Sequence, residues 1–260
     1  MAARVRRRLC SGAVAAVLLS AAPALSACNP PAPVADATPT VAASAPASPS
    51  GTPSAVPPAV ARPKVSRAAL AYFFKIALGA EYGDELSVVV RWTKPVVTVR
   101  TDGTVSAASR DCLERVVADF NALSATTKLR LTGGGTADIR MFFGPVSRFR
   151  AVEPAYVRDN DGFFSVKWAG DHAITAGTVL IRTAGIGATV RCHLIREELT
   201  QSMGLMRDAD DYPDSVFYGR YWATPTRYSR LDEKLIRLLY GGAVHPGDGR
   251  DAVTRAVIVS

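Results

Sequence analysis

Cys192-His193-Leu194-Ile195-Arg196-Glu197-Glu198-Leu199-Thr200-Gln201-Ser202-Met203-Gly204 is the stretch that decides the fold. It belongs to a helix expected over Thr189–Met203, and a glycine follows where a helix stops. His193, Glu197 and Gln201 stand at i, i+4 and i+8 and therefore share one face. Leu194, Ile195 and Leu199 make the same helix a core element, so two adjacent carboxylates on it are not both solvated, and at least one needs a specific partner. Two readings of these acids stay open: an ion pair with Arg196, Arg207 or another arginine, or ligation of an ion together with His193. Equally, His193 reads as a satisfied, partly buried histidine beside Cys192.

Working outward, apolar residues at helical spacing predict a first helix from Arg67 to Leu78, N-capped by Ser66, and a second over Arg110–Leu123, with Cys112 beside its buried stripe. β-branched or alternating runs predict strands over Leu86–Trp92, Pro95–Arg100, Leu129–Leu131, Asp138–Phe143, Gly162–Trp168 and Ile174–Arg182, with Asp102-Gly103 as a turn. Ser229–Tyr240 and Arg250–Val257 read as closing helices, the former capped by Ser229 with Asp232 and Glu233 in its first turn. Strands and helices that do not strictly alternate predict an α+β fold, a single mixed-sheet domain with packed helices. Gly133-Gly134-Gly135 is a loop and not a phosphate loop, since no Gly-Lys-Ser/Thr follows it.

The chain begins with a cationic head (Arg4, Arg6, Arg7, Arg8), an apolar run from about Ala13 to Leu25, and Leu25-Ser26-Ala27-Cys28. That is the order of an export signal, and the run is too short and too interrupted for a permanent span. The last four residues resemble the bacterial lipobox, which implies cleavage after residue 27 and lipid attachment at Cys28. A twin-arginine export signal is the other reading of the arginines. Residues 28–64 are rich in Pro, Ala, Ser and Thr and predict an extended tether. Roughly 35 residues at about 3.1 Å each reach roughly 100 Å from the lipid. Residues 65–260 form the folded domain. The formal charge of +8 falls to +4 once the four head arginines leave, which argues against nucleic-acid binding. Cys112 and Cys192 remain in the domain, either as a disulfide or as two separate buried thiols.

The signature helix resembles that of the zincin and metzincin metallopeptidases. Glu197, Glu198 and Gln201 occupy the frame of a His-Glu-x-x-His motif, and Gly204 stands three residues after Gln201, where a metzincin glycine turns the chain. In such a site, residues four apart hold one ion while the residue after the first acts as general base on a metal-bound water. The resemblance thus implies ligand positions at Glu197 and Gln201, a base at Glu198 and a third ligand position at Arg207. An amide is a weak ligand and a guanidinium is none, which argues against ordinary catalytic zinc. Asp208, Asp210, Asp211 or Asp214 would supply oxygen ligands instead, suited to calcium or magnesium. Tyr212-Pro213-Asp214-Ser215-Val216-Phe217 is similar to the turn beneath a metzincin metal, with Phe217 in place of methionine.

Arg91-Trp92, the Arg-Glu-Glu-Leu-Thr-Gln-Ser-Met-Gly-Leu run, Tyr-Pro-Asp-Ser-Val-Phe, Leu-Asp-x-x-Leu-Ile-Arg-Leu-Leu-Tyr, Phe74 and Glu81 together resemble the bacterial domain-of-unknown-function family 2927. The resemblance implies a metallopeptidase-like fold and brings no established activity. Two functions follow as expectations. The first is a membrane-anchored, extracytoplasmic, noncatalytic module that binds an envelope peptide, glycan or protein. The second is a divergent peptidase with Glu198 as base and a divalent metal ion held by Glu197, Gln201, His193 and Asp208. Trp92, Trp168, Trp222, Tyr218 and Tyr221 read either as core and rim or as the lining of a ligand groove.

Overall fold

The structure, a computed structural model, describes residues 62–79, 86–220 and 225–260. The export signal, Cys28 and nearly all of the tether lie outside these residues, as do Glu81, Tyr221 and Trp222. In chain order the domain contains β1 (Lys64–Val65), α1 (Arg67–Ala77), β2 (Val96–Gly103), α2 (Ala107–Leu123), β3 (Lys128–Thr132), β4 (Ile139–Gly144), α3 (Phe149–Val152), β5 (Gly162–Trp168), β6 (Ile174–Arg182), α4 (Ala188–Gln201), α5 (Arg230–Tyr240), α6 (Arg250–Ala256) and β7 (Ile258–Val259). It is a single mixed α/β domain.

Five strands form one sheet in the order β3-β2-β4-β6-β5. β2, β3, β4 and β6 run parallel, and β5 lies antiparallel on the edge beside β6. Connection length explains the difference. A parallel neighbour requires a crossover, which α2 provides between β2 and β3, whereas β5 and β6 are joined by the short Ala169–Ala173 loop and can only fold back. Val97, Val99, Ile139, Met141, Phe143, Val179 and Ile181 point to one face and are fully buried there, where α2 packs over β3 and α4 over β5 and β6. The alternate residues Arg130, Arg140 and Lys167 are exposed on the opposite face. That face is covered at one end by a small cluster of Phe149, Tyr156, Phe163 and Leu180.

Ser66 caps α1 by accepting a bond from the Ala69 N–H, and Ser229 caps α5 in a full capping box with Asp232. The predicted strand over Leu86–Trp92 is corrected to isolated bridges at Val88, Val89 and Arg91. Its amides pair singly with the 247–249 loop and with His172 because the Arg91 and Trp92 side chains tie the segment to the helices and not to the sheet. The predicted turn at Asp102-Gly103 is also corrected. β2 continues through both residues because β4 offers them partners at Phe142 and Phe143, and Gly103 takes the positive φ that ends the strand. Lys64, assigned from composition to the tether, lies in β1 paired with Ile258 of β7.

Cys112 and Cys192 form a disulfide, with Cα atoms 5.7 Å apart across a sequence separation of 80 residues. It fastens α2 to the first half of α4 and thereby fixes the signature helix against its neighbour. Closing a loop of that length in the unfolded chain stabilises the fold by about 2–4 kcal/mol. A Cys112→Ala/Cys192→Ala variant should lose that amount in urea denaturation, and an unchanged midpoint would contradict the assignment.

Candidate functional site

The residues of α4 from His193 to Gln201 are all buried, so its polar side chains must find partners inside the protein. His193 Nε2 lies 3.3 Å from Glu197 Oε2, one helical turn on, and His193 Nδ1 lies 3.0 Å from the Pro225 carbonyl oxygen. Gln201 Nε2 donates to Asp208 Oδ1 at 2.7 Å. His193, Glu197, Gln201 and Asp208 are therefore bonded in two pairs along one face of α4 and the residues after it. Among the described residues, no three His, Cys, Asp or Glu side chains are grouped so as to hold a metal ion.

The protonation of His193 follows from its partners. A carbonyl oxygen only accepts, so Nδ1 donates to Pro225, and Nε2 faces the Glu197 carboxyl, with which it shares a proton when the imidazole is charged. Burial alone would lower the imidazole's pKa, but the Glu197 hydrogen bond and charge, the Pro225 carbonyl and Asp208 outweigh it and raise the pKa above its ordinary value. With Nδ1 bonded to Pro225 and Nε2 turned to Glu197, both ring nitrogens are already engaged. Because the folded protein binds this proton more tightly than the unfolded chain, stability is fully present below about pH 6.5 and declines as pH rises through the folded pKa. Melting temperature should fall across that alkaline window in the wild type and fall less in His193→Gln. Parallel pH profiles for the two proteins would contradict the pairing.

Glu198 is buried against the edge strand. A Cβ at Gly162 of β5 would lie 2.4 Å from Glu198 Oε1 and 2.9 Å from its Cγ, so a larger residue there would press on this carboxylate. Glu198 thus reaches the place where α4 packs against β5. Arg207, at the third ligand position, turns away. Its Nη1 donates to the Leu78 carbonyl at the end of α1 at 3.2 Å, with the guanidinium against Gly79. The expected ion pairs between the α4 acids and arginine are corrected for Glu197, whose partner is His193. Arg196 instead pairs with Asp119 of α2 at 2.7 Å, donates to the Thr226 carbonyl at 2.8 Å and lies over the Tyr228 ring. The residue spacing on α4 gives no sign of Asp119. Only α2, brought alongside by the disulfide, supplies it.

The Tyr212–Phe217 turn is organised by a residue that sequence reading placed only in a helix first turn. Fully buried Asp232 accepts from Ser215 Oγ at 2.6 Å, the Val216 N–H at 3.1 Å and the Ser229 N–H at 2.9 Å. Burial pushes the Asp232 carboxyl above the ordinary carboxylate range, although these three donors pull the other way. Ser215 Oγ also receives the Tyr72 hydroxyl at 3.0 Å, which joins α1 to the turn. Trp92 is fully buried core, and its Nε1 donates to the Ser202 carbonyl at the end of α4.

Fold and site together define a mixed-sheet domain whose central polar helix is bonded into its own interior. The chain belongs to the family described as Protein of unknown function (DUF2927), whose profile matches residues 66–258. No curated protein matches the chain. Two solved structures, both of myroilysin, are similar in three dimensions. One is 9% identical, with 58% of this chain and 95% of that chain covered and a TM-score of 0.39. The other is 10% identical, with 65% and 92% covered and a TM-score of 0.42.

Proposed function

We propose that this protein is an extracytoplasmic lipoprotein, anchored through lipid on Cys28, whose domain is a noncatalytic envelope module built on a metallopeptidase-like scaffold. The observation that carries this reading is that frame positions Glu197, Gln201 and Arg207 are each already bonded to a neighbour inside the protein. Glu197 is bonded to His193, Gln201 to Asp208, and Arg207 to the end of α1. A divalent ion at Glu197 would have to break its bond to the His193 imidazole, and one at Gln201 would have to break the amide–carboxylate bond. Such a domain acts by binding an envelope peptide, glycan or protein.

Calorimetric titration of the chelator-treated full chain in detergent with zinc, calcium and magnesium, beside Glu197→Ala, tests the catalytic half of the reading. The expected result is no saturable binding in either protein. Saturable binding abolished in Glu197→Ala would overturn the proposal in favour of a divergent metal-dependent peptidase with Glu198 as general base. Incorporation of labelled palmitate, lost in Cys28→Ser, tests the anchor, and equal labelling of both proteins would refute it.

A further inference from the structure

Between α2, the first turns of α4, the Thr226–Tyr228 segment and α5 lies an open groove of about 1090 Å³. Six charged residues line it: Arg115, Asp119, Arg196, Arg227, Glu233 and Arg237. Both carboxylates are already engaged, Asp119 by Arg196 at 2.7 Å and Glu233 by Arg237 at 3.5 Å. Arg115 and Arg227 are exposed and, among the described residues, form no ion pair, so the groove carries two uncompensated guanidinium groups.

Two further features point the same way. Arg196, at the floor, is only 2% exposed, and its Nη1 is buried with no hydrogen-bond partner even though Nε and Nη2 are satisfied. Its charge, with that donor unmet, adds to the positive potential at the groove floor. The 14-residue α4 also begins in the groove, at Ala188 and Thr189, with no side-chain cap at Gly187 and no acid in its first turn. Its first N–H groups therefore keep their positive field directed at a ligand.

We propose that this groove docks an acidic peptide segment of a partner protein, its carboxylates held by Arg115 and Arg227. The mixed lining favours a peptide over a phosphate polymer. Asp119 and Glu233 keep lone pairs that accept peptide N–H groups, donors a phosphate polymer lacks, and Ala108, Ala122 and Leu123 offer an apolar strip for the methylene stems of acidic side chains. The groove lies on the α2 and α5 side of α4 and uses none of Glu197, Glu198 or Gln201. The inference deepens the binding-module reading and rests on it for the kind of role assigned.

The test is fluorescence anisotropy of the full chain in detergent with a fluorescein-labelled hexaglutamate peptide, and with labelled polyphosphate as comparator. Arg115→Glu/Arg227→Glu is measured beside Arg130→Glu/Arg255→Glu, which makes the same change of net charge on exposed residues elsewhere. The expected result is that wild type and the distant variant bind hexaglutamate alike while the groove variant binds about tenfold or more weakly, as follows from losing two charge-assisted contacts. Equal weakening in both variants, no binding by wild type, or polyphosphate binding tighter than hexaglutamate would each overturn the proposal. Both variants change exposed side chains, and matching melting curves confirm that they fold. Failure here with a metal-free titration leaves the noncatalytic reading intact, whereas metal binding at Glu197 removes that reading whatever the groove does.

Discussion

Replacing Gly204 by alanine is expected to destabilise the domain by about 3–5 kcal/mol, from backbone strain and overpacking together. Gly204 has φ of +109°, a conformation that L side chains rarely adopt. A Cβ there would also lie 2.3 Å from the Val90 carbonyl oxygen and 3.4 Å from Arg91 Cα, and backbone cannot swing aside as a side-chain tip can. The chain leaves α4 at this residue, with the Gly204 N–H bonded to the Gln201 carbonyl, and passes directly against the 90–91 segment. Gly170 is the matched control, because an added Cβ meets nothing within 4 Å and its φ is not positive, so Gly170→Ala should stay within about 0.5 kcal/mol of wild type. Urea denaturation of the two variants decides the matter. A loss under about 1 kcal/mol for Gly204→Ala would mean that the close approach is relieved by movement of the Val90 backbone.

The second large effect is expected at Arg91. It is buried, yet its guanidinium donates to the Trp92 carbonyl at 3.2 Å, the Val244 carbonyl and Thr126 Oγ1 at 2.7 Å each, and the Leu239 carbonyl. It also lies over the Tyr240 ring, 4.3 Å from the centroid. Burial lowers its pKa from the ordinary arginine value, while Tyr240 and Asp248 oppose that. The carbonyls of Leu239 and Val244 belong to the end of α5 and the chain just after it, where helix carbonyls have no partner of their own. Arg91→Met keeps the apolar bulk and removes every donor, leaving buried acceptors unmet at about 1–3 kcal/mol each. The summed loss should reach about 4 kcal/mol or more, and Arg91→Lys should recover only part of it, because an ammonium cannot reach as many acceptors in a fixed plane. A loss below about 1 kcal/mol for Arg91→Met would show that water takes over those bonds.

These two residues are linked. Trp92 Nε1 donates to the Ser202 carbonyl, Tyr240 Oη donates to the Met203 carbonyl at 2.6 Å, and the Trp92 N–H donates to Tyr240 Oη at 3.2 Å. Arg91-Trp92, Gly204 and the closing Leu-Leu-Tyr240, which read along the sequence as separate motifs, are one lattice that locks the end of α4 to the end of α5. Their role is to hold the scaffold.

Local physical chemistry was legible in the sequence wherever a side chain acts within its own element. Ser66 and Ser229 announced helix starts because a cap bonds two or three residues away. β5 and β6 were readable as runs of β-branched and aromatic residues, which suit strands buried on both faces. The i, i+4 spacing alone put His193, Glu197 and Gln201 on one face of α4. Tertiary structure decided what those groups bond to. The pairing of His193 with Glu197 and Pro225, of Gln201 with Asp208 and of Arg196 with Asp119 depends on segments that the chain brings together from up to 77 residues away. The same holds for Leu86–Trp92, where strand-forming residues were overridden by the anchoring of Arg91 and Trp92, and for Asp102-Gly103, where β4 extended a strand through a turn-forming pair. A sequence determines which groups are present and which face they share. Only packing determines whether a buried carboxylate meets a cation, a donor or open space, because that energy depends on the dielectric and the partner at the place where the side chain is buried.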